Sequence, residues 1–401
     1  MKKSRNNTNY IYKEIKLFEA FAGIGAQYKA LKNISKFKKW NIKHVGMIEW
    51  YIDAIIAYIA IHSNFRSSNE ILNEDIKDIS INSKDVISDK AIINLNNSLK
   101  ASYLNFSQKK FNNLFDINKV NFNKIPKNID VFTYSFPCQD LSSQGLQKGI
   151  NKELKTQSSL LWQVERILFE LKENFKQEEL PKYLLMENVK NIVSKKHVEN
   201  YNFWLQQLNK IGYESCTYIL NSQNHGSAQN RERVFCLSIR KDFKEKINFS
   251  FAYPKKYVKN KKLKNILDNN QSNIDYLDLS KYKLSDYTKT KNNVVKRKIL
   301  NYTKFNSENY VYNSNGIGPT LTASGANSRI KIEIENNLFR YMTPKECFKY
   351  MGFTSSDYEK VKNTNLLSDT KIIFIAGNSI SIEVLEWIFS TLRFEVANGK
   401  I

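Results

Sequence analysis

The sequence predicts an α/β protein built on a doubly wound, mostly parallel sheet. Residues 14–18 form a β-rich run that turns through FAGIG at 21–25 into a helical stretch. Residues 44–49 form a second such run, which ends in an acid, and residues 129–135 form a third, which leads into the loop FPCQDLS at 136–142. Strands that alternate with helical patterns are typical of parallel sheets with helices on both faces.

Length and composition set the protein class. A chain of 401 residues can hold one large α/β domain and a smaller one. With 41% hydrophobic residues, no apolar run near 18 residues and no apolar signal segment, it is expected to be a soluble cytoplasmic protein. The 4 cysteines form no CxxC pair and no cluster with histidine, so neither a metal site nor a disulfide framework is predicted.

The positive charge is concentrated in one part of the chain. The whole sequence has 62 basic against 39 acidic residues, a net charge of +23. The stretch from Arg240 to Lys304 alone has 18 basic against 6 acidic residues, which is about half of the excess. A solvated loop region would be one explanation. A polyanionic partner explains the concentration better, because lysine and arginine neutralise phosphates.

Cys138 lies on a loop directly after a predicted buried strand. In α/β folds this position is at the carboxyl edge of the sheet, where ligands bind. Pro137 fixes one backbone dihedral and so makes the loop rigid, which suits a nucleophile. A buried structural cysteine is the alternative on this feature alone. The other motifs of the chain favour the nucleophile.

The first two strands end in groups that suit a nucleoside. The glycines of FAGIG at 21–25 allow a ligand to approach the backbone closely. Glu49 stands where an acid accepts the two ribose hydroxyls in doubly wound sheets, and Trp50 could cover an adenine face. Asp116, at the end of a short strand predicted at 114–117, is placed to accept from an exocyclic amine.

The remaining elements follow from periodicity and turn signals. Residues 64–112 are interpreted as a weakly helical insertion on the periphery. A buried strand delivers Glu187 at its end, where an unpaired carboxylate would be costly. Arg231 and Arg233 lie beside a strand pair, and a surface salt bridge with Glu232 is the alternative role for them. Further strands are predicted at 183–186, 213–220, 233–239 and 372–376, and helices at 160–171, 200–211, 341–351 and 380–392.

Eight motifs together resemble the cytosine-C5 DNA methyltransferases. They are FAGIG at 21–25, EW at 49–50, FDI at 115–117, FPCQDLS at 136–142, MENV at 186–189, QNRER at 229–233, RYMTPKECFKYMGF at 340–353 and GNSIS at 377–381. The likeness is strongest to the mollicute CpG-specific enzymes, through FNSENYVY at 305–312 and GPTLTASGANSRIKI at 318–332. Gln157 and Ser159 depart from those relatives, which have arginine and glycine there.

The resemblance implies a Rossmann-like domain dependent on S-adenosylmethionine and a smaller target-recognition domain. It implies a catalytic and cofactor-binding domain at 1–242 with the insertion at about 64–112, a basic recognition domain at 243–335, and a return to the catalytic domain at 336–401. It also implies methyl transfer to C5 of a cytosine flipped out of duplex DNA, at CpG sites.

The resemblance also assigns site residues. The catalytic residues would be Cys138, Glu187, Arg231 and Arg233. The cofactor residues would be Phe18, Phe21, Gly23, Gly25, Glu49, Trp50, Asp116, Ile117, Pro137 and Asn378. The DNA-binding residues would be Gln139, Ser142, Gln144, Ser307, Glu308, Ala323 and Ser324.

Two other functions stay open on the sequence. A tRNA cytosine methyltransferase of the same fold would have a small recognition region, whereas the stretch 243–335 is long and basic. A non-catalytic DNA-binding relative would not need the intact catalytic set. The enzyme is expected to act as a monomer without an obligatory protein partner, and one chain does not tell whether a restriction endonuclease accompanies it.

Overall fold

The computed structural model describes residues 12–141, 157–253, 261–268, 274–323, 329–335 and 337–395. In this part of the chain the larger sheet has six strands. They are β1 Lys13–Ala20, β2 Trp40–Ile48, β3 Val131–Tyr134, β4 Tyr183–Val189, β5 Tyr213–Asn221 and β6 Glu232–Arg240.

The strand order across the larger sheet is β2-β1-β3-β4-β6-β5. The first four strands of this order run parallel, whereas β6 pairs antiparallel with both β4 and β5. The predicted α/β fold with a mixed, mostly parallel sheet is therefore confirmed. The chain changes direction of winding between β1 and β3, and a crevice at such a switch point is the expected ligand site.

Helices cover both faces of this sheet. They are α1 Ala26–Lys38, α2 Ile52–His62, α3 Asp89–Leu95, α4 Leu99–Phe111, α5 Leu161–Asn174, α6 Val198–Ile211, α7 Lys241–Lys246, α8 Pro344–Tyr350, α9 Ser355–Lys362, α10 Asp369–Asn378 and α11 Ile382–Ser390. The apolar stripes of α5 and α6 fill one core together with β3 and β4. The other core contains residues of α1, α2, α4 and α8 to α11.

Two predicted strands are wrong. Residues 114–117 form no strand, because the Asp116 carboxylate accepts from the backbone of Asn118 at 3.0 Å and starts a single 3-10 turn. Residues 372–376 belong to α10, where Ser368 caps the first turn. A short apolar run buried on all sides does not tell a strand from a helix by its pattern.

The segment 64–112 is only partly peripheral. Its helix α4 packs against α2, and Ala101 and Leu104 are fully buried in the same core as the sheet. The expectation of a peripheral insertion is therefore wrong for α4. Its apolar positions were hidden by the many polar residues around them. Near the predicted boundary, Phe243 and Phe249 both pack edge-on against Tyr183 of β4.

A second, smaller sheet follows the large one. Its strands are β7 Thr288–Lys289, β8 Val295–Lys298, β9 Tyr310–Asn313, β10 Lys331–Glu335 and β11 Leu338–Tyr341, in the order β11-β10-β9-β8-β7. A small core of Leu279, Ile299, Val311 and Phe339 supports it. Arg340 links this sheet to α8 through a bidentate ion pair with Glu346, at 2.7 and 2.8 Å, in which neither side chain is exposed.

The last helices return to the large sheet, where α11 packs against α1. Pro344 begins α8 behind the predicted cap Thr343, which forms a capping box with Glu346. The stretch Asp369–Ser390 is long and apolar enough to cross a membrane, but 72% of its most apolar window is buried inside the protein. It therefore serves as core, and it is interrupted between α10 and α11.

Candidate active site

A cavity of about 1190 Å³ opens at the carboxyl ends of β1, β3 and β4. Its wall combines the FAGIG turn, the cysteine loop, the ends of β4 and β6, the segment 320–323 and the turn after α10. The cavity exceeds the roughly 300–1,000 Å³ typical of a single small-molecule site. It is therefore large for a site that binds one small molecule.

The cysteine loop is held by its own backbone. Cys138 lines the cavity and is partly exposed. Two residues before it, Phe136 is buried, and its carbonyl accepts a hydrogen bond from the Asn188 amide at 3.0 Å. The Cys138 carbonyl accepts from the backbone N–H of Leu141 at 3.0 Å. The loop therefore presents the thiol from a fixed turn, as Pro137 predicted.

The thiol environment contains opposing influences. Burial raises the pKa of the Cys138 thiol above its ordinary value, and the charge of Glu187 raises it further. Arg233 and Arg231 act in the opposite direction and lower this pKa. Burial therefore disfavours the thiolate, whereas the two arginines favour it.

Glu187 and Arg233 meet beside the thiol. Antiparallel pairing of β4 with β6 places Arg233 opposite Val189, which is two residues beyond Glu187. The side chains of Glu187 and Arg233 therefore lie at the same end of the sheet. Arg233 Nε lies 3.4 Å from Glu187 Oε1. The Ser135 hydroxyl donates to Glu187 Oε2 at 2.5 Å. The carboxylate is therefore held in one orientation.

Ser135 was missed by sequence reasoning. The signal that could have found it is the register of the parallel pair β3–β4, in which Tyr134 lies opposite Met186. The next residues along each strand, Ser135 and Glu187, must then be neighbours at the sheet edge. That register is not visible in a single sequence.

Arg231, expected among the catalytic residues, binds backbone carbonyls of two other segments that line the cavity. Its side chain is buried and donates to three backbone carbonyls, those of Leu321 at 2.8 Å, Gly377 at 3.1 Å and Ser379 at 3.0 Å. Burial lowers the pKa of Arg231 to about 9, so the guanidinium stays charged at neutral pH. The alternative of an ion pair with Glu232 is wrong, because that acid pairs with Lys190 at 3.0 Å.

Gln229 and Arg231 both bind the backbone of Leu321, and the two residues together are called the clamp here. Sequence reasoning also missed Gln229. It is fully buried, and its amide oxygen accepts from the backbone N–H of Leu321 at 3.0 Å while its amide nitrogen donates to the Tyr350 carbonyl at 3.2 Å. The segment after the second sheet's β9 is therefore fixed to the large sheet at the cavity.

The other end of the cavity contains the predicted nucleoside groups. Glu49 is buried and accepts from the backbone N–H of Gly23 and of Tyr51, at 2.8 Å each. Burial raises the pKa of the Glu49 carboxyl, and these backbone bonds oppose the rise. The predicted cofactor residues that line the cavity are Phe21, Gly23, Glu49, Trp50, Asp116, Ile117, Pro137 and Asn378.

Phe18 and Gly25 lie elsewhere. Phe18 is fully buried in β1 and stacks on Phe132 with ring centroids 5.1 Å apart, so it packs the core instead of the cavity wall. Gly25 has φ 75° at the start of α1, and a Cβ there would lie 2.3 Å from His62 Nε2. This close approach to His62 requires a glycine at position 25. Sequence spacing alone does not distinguish such a packing requirement from ligand binding.

The residues of this end fit S-adenosylmethionine. Each Glu49 oxygen accepts one backbone N–H and keeps a further lone pair for a ribose hydroxyl. Trp50 supplies an aromatic face and Asp116 a second acceptor on the same wall. These three groups suit the ribose hydroxyls, the ring face and the amine of an adenosine, and Cys138 lines the same cavity.

Only some of the predicted DNA-binding residues line the cavity. Gln139 and Ala323 line the cavity. Ser307 and Glu308 lie on the 3-10 turn Asn306–Glu308 before β9, outside the cavity wall. The buried Lys331 donates to the Glu308 carboxylate at 3.0 Å, so Glu308 is paired with a residue of the second sheet. Ser142, Gln144 and Ser324 lie outside the described residues.

Comparisons with known proteins show the family of the chain. The model of the family "C-5 cytosine-specific DNA methylase" matches residues 91–393. The chain is 43% identical to the orphan methyltransferase M.SssI of Spiroplasma monobiae, over 98% of this chain and 100% of that protein. It is 32% identical to the type II methyltransferase M2.ScrFI of Lactococcus lactis, over 94% of this chain and 99% of that protein.

Solved structures support the fold. The Dnmt2 methyltransferase of S. pombe superposes with a TM-score of 0.57 at 15% identity, over 94% of this chain and 97% of that one. The Entamoeba histolytica methyltransferase EhMeth gives a TM-score of 0.57 at 17% identity, over 94% and 98%. With the family match and the two curated relatives, the chain belongs to the C-5 cytosine-specific DNA methylases and is a DNA (cytosine-5-)-methyltransferase that uses S-adenosylmethionine.

Proposed function

We propose that Cys138, Glu187 and Arg233 are the catalytic residues and that the target cytosine occupies their end of the cavity. The observation that carries this proposal is the convergence of a thiol, a carboxylate and a guanidinium at the ends of β3, β4 and β6. Arg231 supports them as a positioning residue through its three carbonyl contacts.

The chemistry requires these residue types. Cytosine C5 is too electron-poor to accept a methyl group unaided. The Cys138 thiolate adds to C6, which saturates the ring and makes C5 nucleophilic. Glu187, held by Ser135, shares a proton with ring N3 and neutralises the charge pushed onto it. Arg233 reaches the O2 side and favours the thiolate.

S-adenosylmethionine supplies the methyl group, and Glu49, Trp50 and Asp116 would hold its adenosine part. After C5 has been methylated, a base removes the C5 proton and the Cys138 thiolate leaves from C6, which restores the aromatic ring. The described side chains beside Cys138 contain no obvious second base, so an ordered water is proposed for this step.

The division into domains is part of the proposal. The basic segment 243–335, with the second sheet, would bind duplex DNA and recognise the site. The mollicute-like motifs at 305–312 and 318–332 support CpG as that site. Glutamate suits the cytosine amine and serine suits guanine acceptors in the major groove, so Ser307 and Glu308 are the proposed readers.

We also propose that the enzyme works as a cytoplasmic monomer. Its DNA substrate, its cofactor and its four free cysteines suit the reducing compartment that holds the genome. Sedimentation of the enzyme with and without a short duplex would test the monomer.

The decisive experiment is transfer from labelled S-adenosylmethionine to duplex DNA and, in parallel, to tRNA. We expect DNA to be labelled, and Cys138→Ser to abolish transfer while it leaves duplex binding largely intact. DNA containing 5-fluorocytosine should trap a covalent complex with the wild type, because fluorine does not leave as a proton. An active enzyme that formed no such complex would contradict the proposed role of Cys138.

A further inference from the structure

One part of the cavity wall has no role in the mechanism above. The loop Asn82–Asp85, called here the wall loop, comes from the segment 64–112 and lines the cavity with all four of its residues. It faces the same cavity as Trp50 and Tyr51. This part of the chain lies before residue 91, where the family match begins.

The base of the wall loop is fixed to the nucleoside end of the site. Ser80 donates from its backbone to the Trp50 carbonyl at 2.8 Å, and Ile52 donates to the Ser80 carbonyl at 2.9 Å. The two ends of the loop meet at Ile79 and Ile87, which are both buried. The backbone N–H of Ile87 donates a hydrogen bond to the Ile79 carbonyl at 2.8 Å. Its position therefore depends on the segment that follows Glu49.

The wall loop is also ordered by its own side chains. The Asn82 amide oxygen accepts from the backbone N–H of Lys84 and of Asp85, at 2.9 Å each. The Asn82 amide nitrogen donates to the Asp85 carboxylate at 3.0 Å, and the Ser80 hydroxyl donates to the Asp85 carbonyl at 2.7 Å. A loop held in one shape costs less entropy when a ligand binds against it.

We propose that the wall loop positions the adenosine part of S-adenosylmethionine, with Asn82 as the residue that keeps the loop in shape. This inference rests on the proposed cofactor site at Glu49 and Trp50. Asn82, Lys84 and Asp85 are exposed in the protein as described, so the loop stands between the cavity and solvent. Its effect should fall on cofactor binding, because the thiol and its partners lie at the other end.

Calorimetry with S-adenosylhomocysteine tests this role without turnover. Asn82→Ala removes the four hydrogen bonds of the Asn82 side chain, including one accepted from the Ser80 hydroxyl at 3.2 Å, and we expect about three- to tenfold weaker binding. In turnover assays the loss should appear in the KM for the cofactor more than in kcat. Asn73→Ala is the matched control. Asn73 is an exposed amide of the same segment that bonds Gln108 at 2.9 Å and lies outside the cavity wall, so its substitution should leave affinity unchanged.

Hydrogen exchange of the wild type gives a second readout that no folding defect of a variant can disturb. Amides at 82–86 should gain protection when S-adenosylhomocysteine is added, whereas amides at 73–75 should not. Glu49→Ala separates the two proposals. If Glu49→Ala weakens binding but Asn82→Ala and exchange show no effect, the wall loop has no such role. If Glu49→Ala leaves binding unchanged, the cofactor site itself is misplaced.

Discussion

At the scale of single residues, opposing charges surround a partly buried thiol. Cys138 is embedded deeply enough for burial to raise its pKa, and Arg233 is the largest influence that lowers it. The same arginine contacts Glu187, whose charge acts in the opposite direction. The residues of this triad must therefore be judged together and not as independent groups.

Arg233→Gln should shift the reactivity of Cys138 to higher pH. Removing the positive charge removes the main factor that lowers the thiol pKa, so less thiolate forms at any given pH. The measurement is the rate of iodoacetamide alkylation at Cys138 against pH, followed by mass spectrometry. Arg297→Gln, whose arginine pairs with Glu333 on the second sheet at 2.6 Å, is the control and should not move the curve. An unmoved curve for Arg233→Gln would place the activating charge elsewhere.

Glu308→Gln should relax the choice of one base pair in the recognition site by about 1–3 kcal/mol, if this carboxylate accepts from a cytosine amine. Bisulfite sequencing of plasmid DNA treated with the enzyme reads the change directly. Lys331→Met tests the alternative that Glu308 only balances its buried partner, because that variant removes the partner and keeps the carboxylate. Methylation patterns identical to wild type in Glu308→Gln would shift recognition to another part of the basic segment.

At the scale of elements, the site depends on strand ends and on the ties between the two sheets. The strand that precedes the Cys138 loop and the strand that contains Glu187 were predicted correctly, because their β-rich runs are bounded by clear loop signals. Residues 114–117 and 372–376 were wrongly predicted as strands, because short apolar runs fit both strands and helices. The clamp made by Gln229 and Arg231 could not be predicted, since it joins residues about 90 and about 120 to 150 positions apart.

Glu346→Gln should destabilise the protein by about 3–5 kcal/mol, because it leaves the guanidinium of Arg340 buried without its counter-charge. Urea unfolding measures the loss. The double variant Arg340→Met, Glu346→Leu should recover much of it, since it removes both charges together. Lys362→Ala, which breaks an exposed pair with Asp369, should change stability by less than about 1 kcal/mol. A small effect of Glu346→Gln would mean that water reaches this pair.

At the scale of the whole molecule, the sequence predicts the topology of the large sheet better than the fold of the basic segment. About half of the net charge of +23 lies in a segment whose fold the sequence did not predict beyond its polarity. That segment has few apolar positions, so periodicity says little about its strands. The large sheet, in contrast, follows from buried runs and their order. The cavity is built where the predicted sheet changes its direction of winding.

Affinity for duplex DNA should fall steeply with salt, because bound phosphates release counterions. Lys289→Ala and Lys291→Ala, both exposed at the β7 hairpin, should each reduce the slope of log Kd against log salt by about one if they contact phosphates. Fluorescence anisotropy at several salt concentrations measures this slope. Lys36→Ala on α1 is the control. Equal slopes for all three variants would separate the hairpin from the DNA-binding face.

The return of the chain to the first sheet has a consequence for synthesis. α11 packs against α1, and the carbonyl of Arg393 accepts from the hydroxyl of Tyr183 at 2.6 Å. A nascent chain therefore keeps the apolar side of α1 uncovered until nearly the last residue described has left the ribosome. Asn378 reaches the cavity at the same late stage. Ribosomes stalled before residue 368 should present a chain that recruits chaperones and binds no cofactor.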